Sequence, residues 1–159
     1  MVSSRPFADD QTGRSMSSET IAIATDHGGL ELKRVLNDVL RANGMDVLDL
    51  GTEDDTSVDY PDYAAKVVEV LSDGRAGRGI LLCGSGIGMS IAANRHSGIR
   101  AALVHDVETA RLSRKHNDAN ILVMGGRVID PETAKACLDA FLGTDFEAGR
   151  HLRRIGKLS

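Results

Sequence analysis

Only two cysteines occur in the chain, Cys83 and Cys137, and they form neither a CxxC pair nor a closely spaced even set. A dithiol redox centre and a disulfide-stapled scaffold are both excluded, and the expected compartment is the reducing cytoplasm. No stretch approaches the roughly 18 apolar residues of a membrane span. The first 18 residues also lack the apolar segment of a secretory signal, so no membrane partner is expected. Positive charge is not in excess: 19 Lys and Arg against 23 Asp and Glu give a formal net charge of -4. Nucleic-acid binding therefore has no global electrostatic support, and an anionic ligand must be captured locally. The five histidines show no HExxH or related spacing, which predicts no metal.

What remains is a chain of 159 residues with 42% hydrophobic content, enough for one domain with one sizeable core. Residues 1–18 are polar and without period and are expected to form a disordered extension, leaving 19–159 as the folded domain. From Thr20 onward, short aliphatic runs alternate with helical patterns, the signature of an α/β fold with a parallel sheet. Strands are expected at Ile21–Ala24, Asp46–Leu50, Gly79–Leu82, Ile99–Val104 and Ile121–Met124. The first helix should bury Leu32, Val35, Leu36, Val39 and Leu40 and stop before Gly44. A later helix should start on Asp130 and Pro131 and end at Gly143, with Ala134, Cys137, Leu138 and Phe141 on its core face. Cys137 is thereby assigned to the core.

Ligands of open parallel sheets bind beyond the carboxyl ends of the strands. Two such ends carry chemistry. The first runs into Thr25-Asp26-His27-Gly28-Gly29 and the third into Cys83-Gly84-Ser85-Gly86-Ile87-Gly88. If these strands are neighbours, Asp26, His27, Cys83 and Ser85 share one crevice. The glycine turn is not a phosphate-binding P-loop, because no Gly-Lys-Ser/Thr follows. It also misses the dinucleotide fingerprint, since Met89 stands where the third glycine belongs. A thiol at a helix N-terminus sits where thiolate is stabilised, although a small buried hydrophobe at a strand end reads the same way. Asp26 and His27 can equally cap a helix, and His116-Asn117-Asp118 can be an ordinary turn. Arg150 and Arg154, four apart, suit a phosphate if they lie on a helix, or a solvated basic helix end.

Several segments together resemble the ribose-5-phosphate isomerase B family, which is related to the galactose-6-phosphate isomerase subunits. They are Asp26-His27-Gly28-Gly29, Asp59-Tyr60-Pro61, Cys83 to Gly88, Ala92-Ala93-Asn94, Gly98-Ile99-Arg100-Ala101, Ser113 to Asn120 and Gly149-Arg150-His151. The resemblance runs from Ile21 to about Arg154. It implies a single-domain three-layer α/β/α Rossmann-like fold around a five-stranded parallel sheet. It also implies interconversion of an aldose phosphate and a ketose phosphate, typically ribose 5-phosphate and ribulose 5-phosphate, with no metal or organic cofactor.

By the same resemblance Cys83 would be the base. Other members use a glutamate six positions later, where this chain has Met89. Amides of the turn through Gly84, Gly86 and Gly88 would hold the oxyanion, and Ser85 and Asp26 would relay protons at the sugar oxygens. His116 would open the sugar ring beside Asn117, Tyr60 would line the pocket, and Arg150 and Arg154 would hold the phosphate with help from His27 and Arg127. The family builds its site at a homodimer interface, so a homodimer or homotetramer is implied, with the His116-Asn117 segment supplied by the second subunit. Isomerisation of a four- or six-carbon sugar phosphate is the alternative within enzymes, and a non-catalytic phosphosugar-binding protein the alternative outside them.

Overall fold

Five short aliphatic runs pair as parallel strands in the order β2-β1-β3-β5-β4. They are β1 (Thr20–Thr25), β2 (Asp46–Asp49), β3 (Arg78–Cys83), β4 (Ala101–Leu103) and β5 (Ile121–Gly125). The helices between and after them are α1 (Leu30–Ala42), α2 (Tyr60–Ser72), α3 (Ile87–Asn94), α4 (Val107–Asn117), α5 (Pro131–Gly143) and α6 (Arg150–Ile155). The structure is a computed structural model that describes residues 19–158, so the extension expected over 1–18 lies outside the described residues. No described helix is long and apolar enough to cross a membrane.

Because successive strand residues face opposite sides, the sheet feeds two separate cores. Ile21, Ile23, Ile80, Leu82, Leu122 and Met124 pack with Leu36 and Leu40 of α1 and Leu138 and Phe141 of α5. Ala22, Ala24, Leu81, Cys83 and Val123 pack with Val67 and Val68 of α2 and Met89 and Ala93 of α3. These are the three layers of the expected α/β fold, and near-continuous apolar strands are what burial on both faces demands. β1 and β3 are direct neighbours, with Thr25 in register with Leu82, so the two chemistry-bearing strand ends meet. Helix α5 begins as expected: Asp130 accepts from the Thr133 N–H at 2.8 Å, with Pro131 in the first turn. Cys137 is fully buried, and burial pushes its thiol up to about 11, so it stays an inert core residue.

Two expectations change. β4 covers only Ala101–Leu103, because the Asn94 side chain pairs with both the N–H and the C=O of Ala101 at 2.8 and 2.9 Å while Arg100 N–H is taken by Asn120 Oδ1. On α1, Val35 and Val39 are only half-buried, and Lys33 and Asn37 are buried in their stead. The Lys33 stem lies inside the protein, and its ammonium reaches both oxygens of Asp49 at the end of β2, at 2.7 and 2.8 Å. Asn37 Nδ2 donates to the same carboxylate at 2.8 Å and the Gly51 N–H at 3.0 Å. This network ties α1 to the loop that follows β2. The loop in turn continues the sheet, through Thr25 N–H to Gly51 C=O and Thr52 N–H to Thr25 C=O.

Burial alone would raise the Asp49 carboxyl, but the hydrogen bonds from Lys33, Gly51 and Asn37, together with the Lys33 charge, hold it below its ordinary value. A depressed carboxylate contributes stability above its unfolded pKa, about 3.9, and that contribution disappears as pH falls through the folded pKa. Asp49→Ala should therefore cost about 3 kcal/mol near neutral pH by leaving the Lys33 charge buried without its main partner. Urea midpoints measured from pH 7 down to pH 3 should show the gap from wild type narrowing at the acid end; a gap that stays constant would contradict this account.

Candidate active site

Three tight turns follow the carboxyl ends of β1, β3 and β5, and main-chain bonds lock them together. Asp26 N–H donates to Leu82 C=O at 3.2 Å, Gly126 N–H to Cys83 C=O at 2.8 Å and Arg127 N–H to Gly84 C=O at 3.0 Å. The approach is close enough that a Cβ on Gly28 would lie 2.8 Å from the Gly84 nitrogen. Gly86 has φ 81°, a left-handed conformation that turns β3 directly into α3. The first turn of α3 consequently faces the crevice.

In that crevice Cys83 is buried, and its Sγ accepts a hydrogen bond from the Gly86 N–H at 3.1 Å. A donor thus rests on the atom that carries charge when the thiol ionises. Ser85 Oγ accepts from the Ile87 N–H at 3.2 Å. The amides of Gly84, Ser85 and Gly88 have no protein acceptor among the described residues, and they remain available to an oxyanion. Asp26 is buried and uses Oδ1 to accept from the Gly28 N–H at 2.8 Å, which leaves Oδ2 for a ligand hydroxyl. His27 Nδ1 accepts from the Val58 N–H at 3.3 Å, so Nε2 is its free donor. Arg127 packs on Gly84: a Cβ there would meet its guanidinium at 3.3 Å. Tyr60, first residue of α2, packs its ring over Gly88 and is partly exposed. The structure therefore brings together Asp26, His27, Tyr60, Cys83, Gly84, Ser85, Gly86, Gly88 and Arg127.

It does not bring His116, Asn117, Arg150 and Arg154 to the same place. These line a second, open pocket of about 390 Å³ with His151, Ile155 and Leu158. His116 and Asn117 close α4 and so precede the start of β5, whereas Cys83 is the last residue of β3, in register with Gly125 at the end of β5. A five-residue strand rises about 3.3 Å per residue, which puts the two groups at opposite ends of the sheet, roughly 15 Å apart along the strands. The α4 end is firmly set. Asp118 caps it in the left-handed region, Arg114 bonds Asp118 Oδ1 at 2.8 Å and Ala119 C=O at 2.7 Å, and Arg100 Nε bonds the carbonyls of Asn117 and Asp118 at 3.0 Å.

His151 was given no role by the sequence, yet it is the buried member of this second pocket. Its ring stacks on His116 with centroids 4.5 Å apart and planes 21° from parallel. Glu147 completes a group whose potential ligand atoms lie within 4.8 Å of one another. Sequence spacing did not show this trio, because Glu147 and His151 meet His116 only through the chain path after α5. Lys115, 3.8 Å from Glu147, and the two arginines lining the same pocket surround it with positive charge, which suits an anion better than a cation.

Comparison with known proteins gives this two-part arrangement a family. Residues 21–158 match the model described as Ribose/Galactose Isomerase. The chain belongs to that family. Among solved structures, a ribose 5-phosphate isomerase of Thermotoga maritima superposes with a TM-score of 0.87 at 54% identity, covering 88% of this chain and 97% of that one. Ribose-5-phosphate isomerase B of Escherichia coli is 44% identical over 85% of this chain and 91% of its own length. D-erythrulose-4-phosphate isomerase of Pectobacterium atrosepticum is 42% identical over 87% of this chain and 92% of its own. The family resemblance read from the sequence, its isomerase class and its Rossmann-like fold are thus established.

The two cysteines should differ in reactivity. Brief treatment of the native protein with iodoacetamide should give one adduct, mapped by mass spectrometry to Cys83 in its crevice, while fully buried Cys137 reacts only in denaturant. Equal labelling of both in the native protein would contradict the assignment of Cys137 to an inert core.

Proposed function

We propose that the chain is an aldose-ketose isomerase that interconverts ribose 5-phosphate and ribulose 5-phosphate without a metal or organic cofactor. The observation that carries this reading is Cys83 Sγ held by the Gly86 amide at the mouth of α3, with Met89 fully buried where a competing carboxylate would stand. Family membership and the ribose 5-phosphate isomerases among its relatives support the substrate. The setting is cytoplasmic, in keeping with two unpaired cysteines.

In this mechanism His116 opens the furanose, and Cys83, as thiolate, removes the proton from C2 of the resulting aldehyde. Negative charge moves to O1, where the Gly84, Ser85 and Gly88 amides meet it; one such donor is worth about 3 to 4 kcal/mol in comparable sites. Ser85 and Asp26 pass the O2 proton toward O1, and Cys83 returns its proton to C1 to leave the ketone at C2. Arg150 and Arg154 hold the phosphate, with His27 and Arg127 reaching it from the crevice.

We assign the complete site to a homodimer, or a homotetramer built from such dimers, a reading that the separation of the two groups supports. Each site then takes Cys83 from one copy and His116, Asn117, Arg150 and Arg154 from the other. Exposed apolar residues flank both halves and support association: Ile87 and Ile91 one turn apart on α3, and Leu152 and Leu158 beside the second pocket. A second substrate reading rests on the Pectobacterium relative, whose name specifies a four-carbon sugar phosphate.

Three measurements test these points. Cys83→Ala should lower kcat on ribose 5-phosphate by at least about a hundredfold, and near wild-type turnover would remove Cys83 as the base. Ranking tetrose, pentose and hexose phosphates by kcat/KM should place ribose 5-phosphate first; a preference for a tetrose phosphate would favour the second reading. Mixing inactive Cys83→Ala and His116→Ala proteins under conditions of subunit exchange should restore about a quarter of wild-type activity, since half the dimers then carry one intact site of two. No recovery, with exchange verified by native mass spectrometry, would place the site within one chain.

A further inference from the structure

His151 is conspicuous because it is 7% exposed, lies in the second pocket and has no hydrogen-bond partner for Nε2 among the described residues. The nearest carboxylate, Glu147 Oε2, is 3.7 Å away, too far for a hydrogen bond. One face of the ring is covered by His116 at a centroid distance of 4.5 Å. We propose that His151 is a positioning residue for His116: stacked against it and itself remaining neutral, it fixes the plane of the His116 imidazole and leaves His116 as the member of the pair that exchanges protons with the sugar. The inference rests on the ring-opening role given to His116 above.

The surroundings favour a neutral His151. Burial first, then the His116 ring and the Arg150 guanidinium, push its pKa below the ordinary histidine value, with Arg154 adding to the effect and only Glu147 opposing it. The groups facing the pair are Lys115 and Asn117 from α4, Glu147 from the connection between α5 and α6, and Arg150 and Arg154 from α6. Positive charge predominates among them. Two imidazolium ions at stacking distance repel, so a second proton on the pair is disfavoured.

Ring opening needs such a proton carrier. The anomeric O1–H gives up its proton, the C1–O4 bond breaks with its electron pair going to O4, O4 takes a proton, and O1 becomes the aldehyde oxygen. A single imidazole can accept the first proton and supply the second only if its ring plane is held toward both oxygens, about 3 Å from each. Stacking on a buried ring restrains that plane.

Ribulose 5-phosphate separates this role from general damage. Its O5 is phosphorylated and it has no furanose form, so deuterium uptake at C1 from D2O requires proton abstraction but no ring opening. Full-length His151→Asn should lower kcat on ribose 5-phosphate at least tenfold while deuterium uptake into ribulose 5-phosphate stays within threefold of wild type. His151→Phe, which keeps a flat ring to stack on, should retain at least a third of wild-type kcat in both assays. A parallel fall of both assays in His151→Asn, no fall in either, or a loss on ribose 5-phosphate in His151→Phe as large as in His151→Asn would each overturn the proposal. If His151→Asn does not fold, the Phe variant alone decides, by the same one-third threshold. Wild-type protein that incorporates no deuterium into ribulose 5-phosphate would overturn the isomerase reaction itself, a failure distinct from that of His151.

Discussion

The main-chain lock among the turns after β1, β3 and β5 is the constraint on which the crevice depends. Three N–H to C=O bonds, from Asp26 to Leu82, Gly126 to Cys83 and Arg127 to Gly84, extend the parallel ladder past the last strand residues. They force the turns together so closely that glycine is needed where Gly28 meets Gly84. Everything chemical in this half hangs from that frame. Cys83 sits at its centre, Gly86 turns α3 inward, and Arg127 is delivered onto Gly84 by the same bond that fixes its backbone.

Much of this architecture was legible in the sequence because it is governed by local rules. All five strands were recognisable as aliphatic runs, Asp130 and Pro131 marked the start of α5, and Cys137 fell on a core face by period. The adjacency of β1 and β3 followed from the usual winding of parallel sheets. Lys33 and Asn37 were not legible, because their burial depends on an Asp49 that reaches them only after β2 pairs with β1. Nor was the shortening of β4, since it comes from a side-chain amide of Asn94 competing for backbone groups.

The candidate site residues were legible as types and motifs, while the placing of His116 and Asn117 on a second subunit came only as an implication of the family resemblance and not from pattern or spacing. A motif such as Ser113 to Asn120 says nothing about which end of the sheet it occupies; the direction of α4 decides that. Likewise His151 follows a recognisable arginine, yet its burial and its stack on His116 come from the return of the chain after Gly143 along the last turn of α4, where Glu147 N–H donates to Lys115 C=O at 3.1 Å. Long-range geometry of this kind leaves no periodic trace.

A crevice whose frame is secured through peptide groups has a consequence for descent. Since hydrogen bonds from the backbone do not specify a side chain, lineages can exchange the reactive groups on the rim while inheriting the scaffold intact, as long as the few obligatory glycines survive. That decoupling offers a physical reason why proteins 42% and 44% identical to this one bear names specifying sugar phosphates of different length.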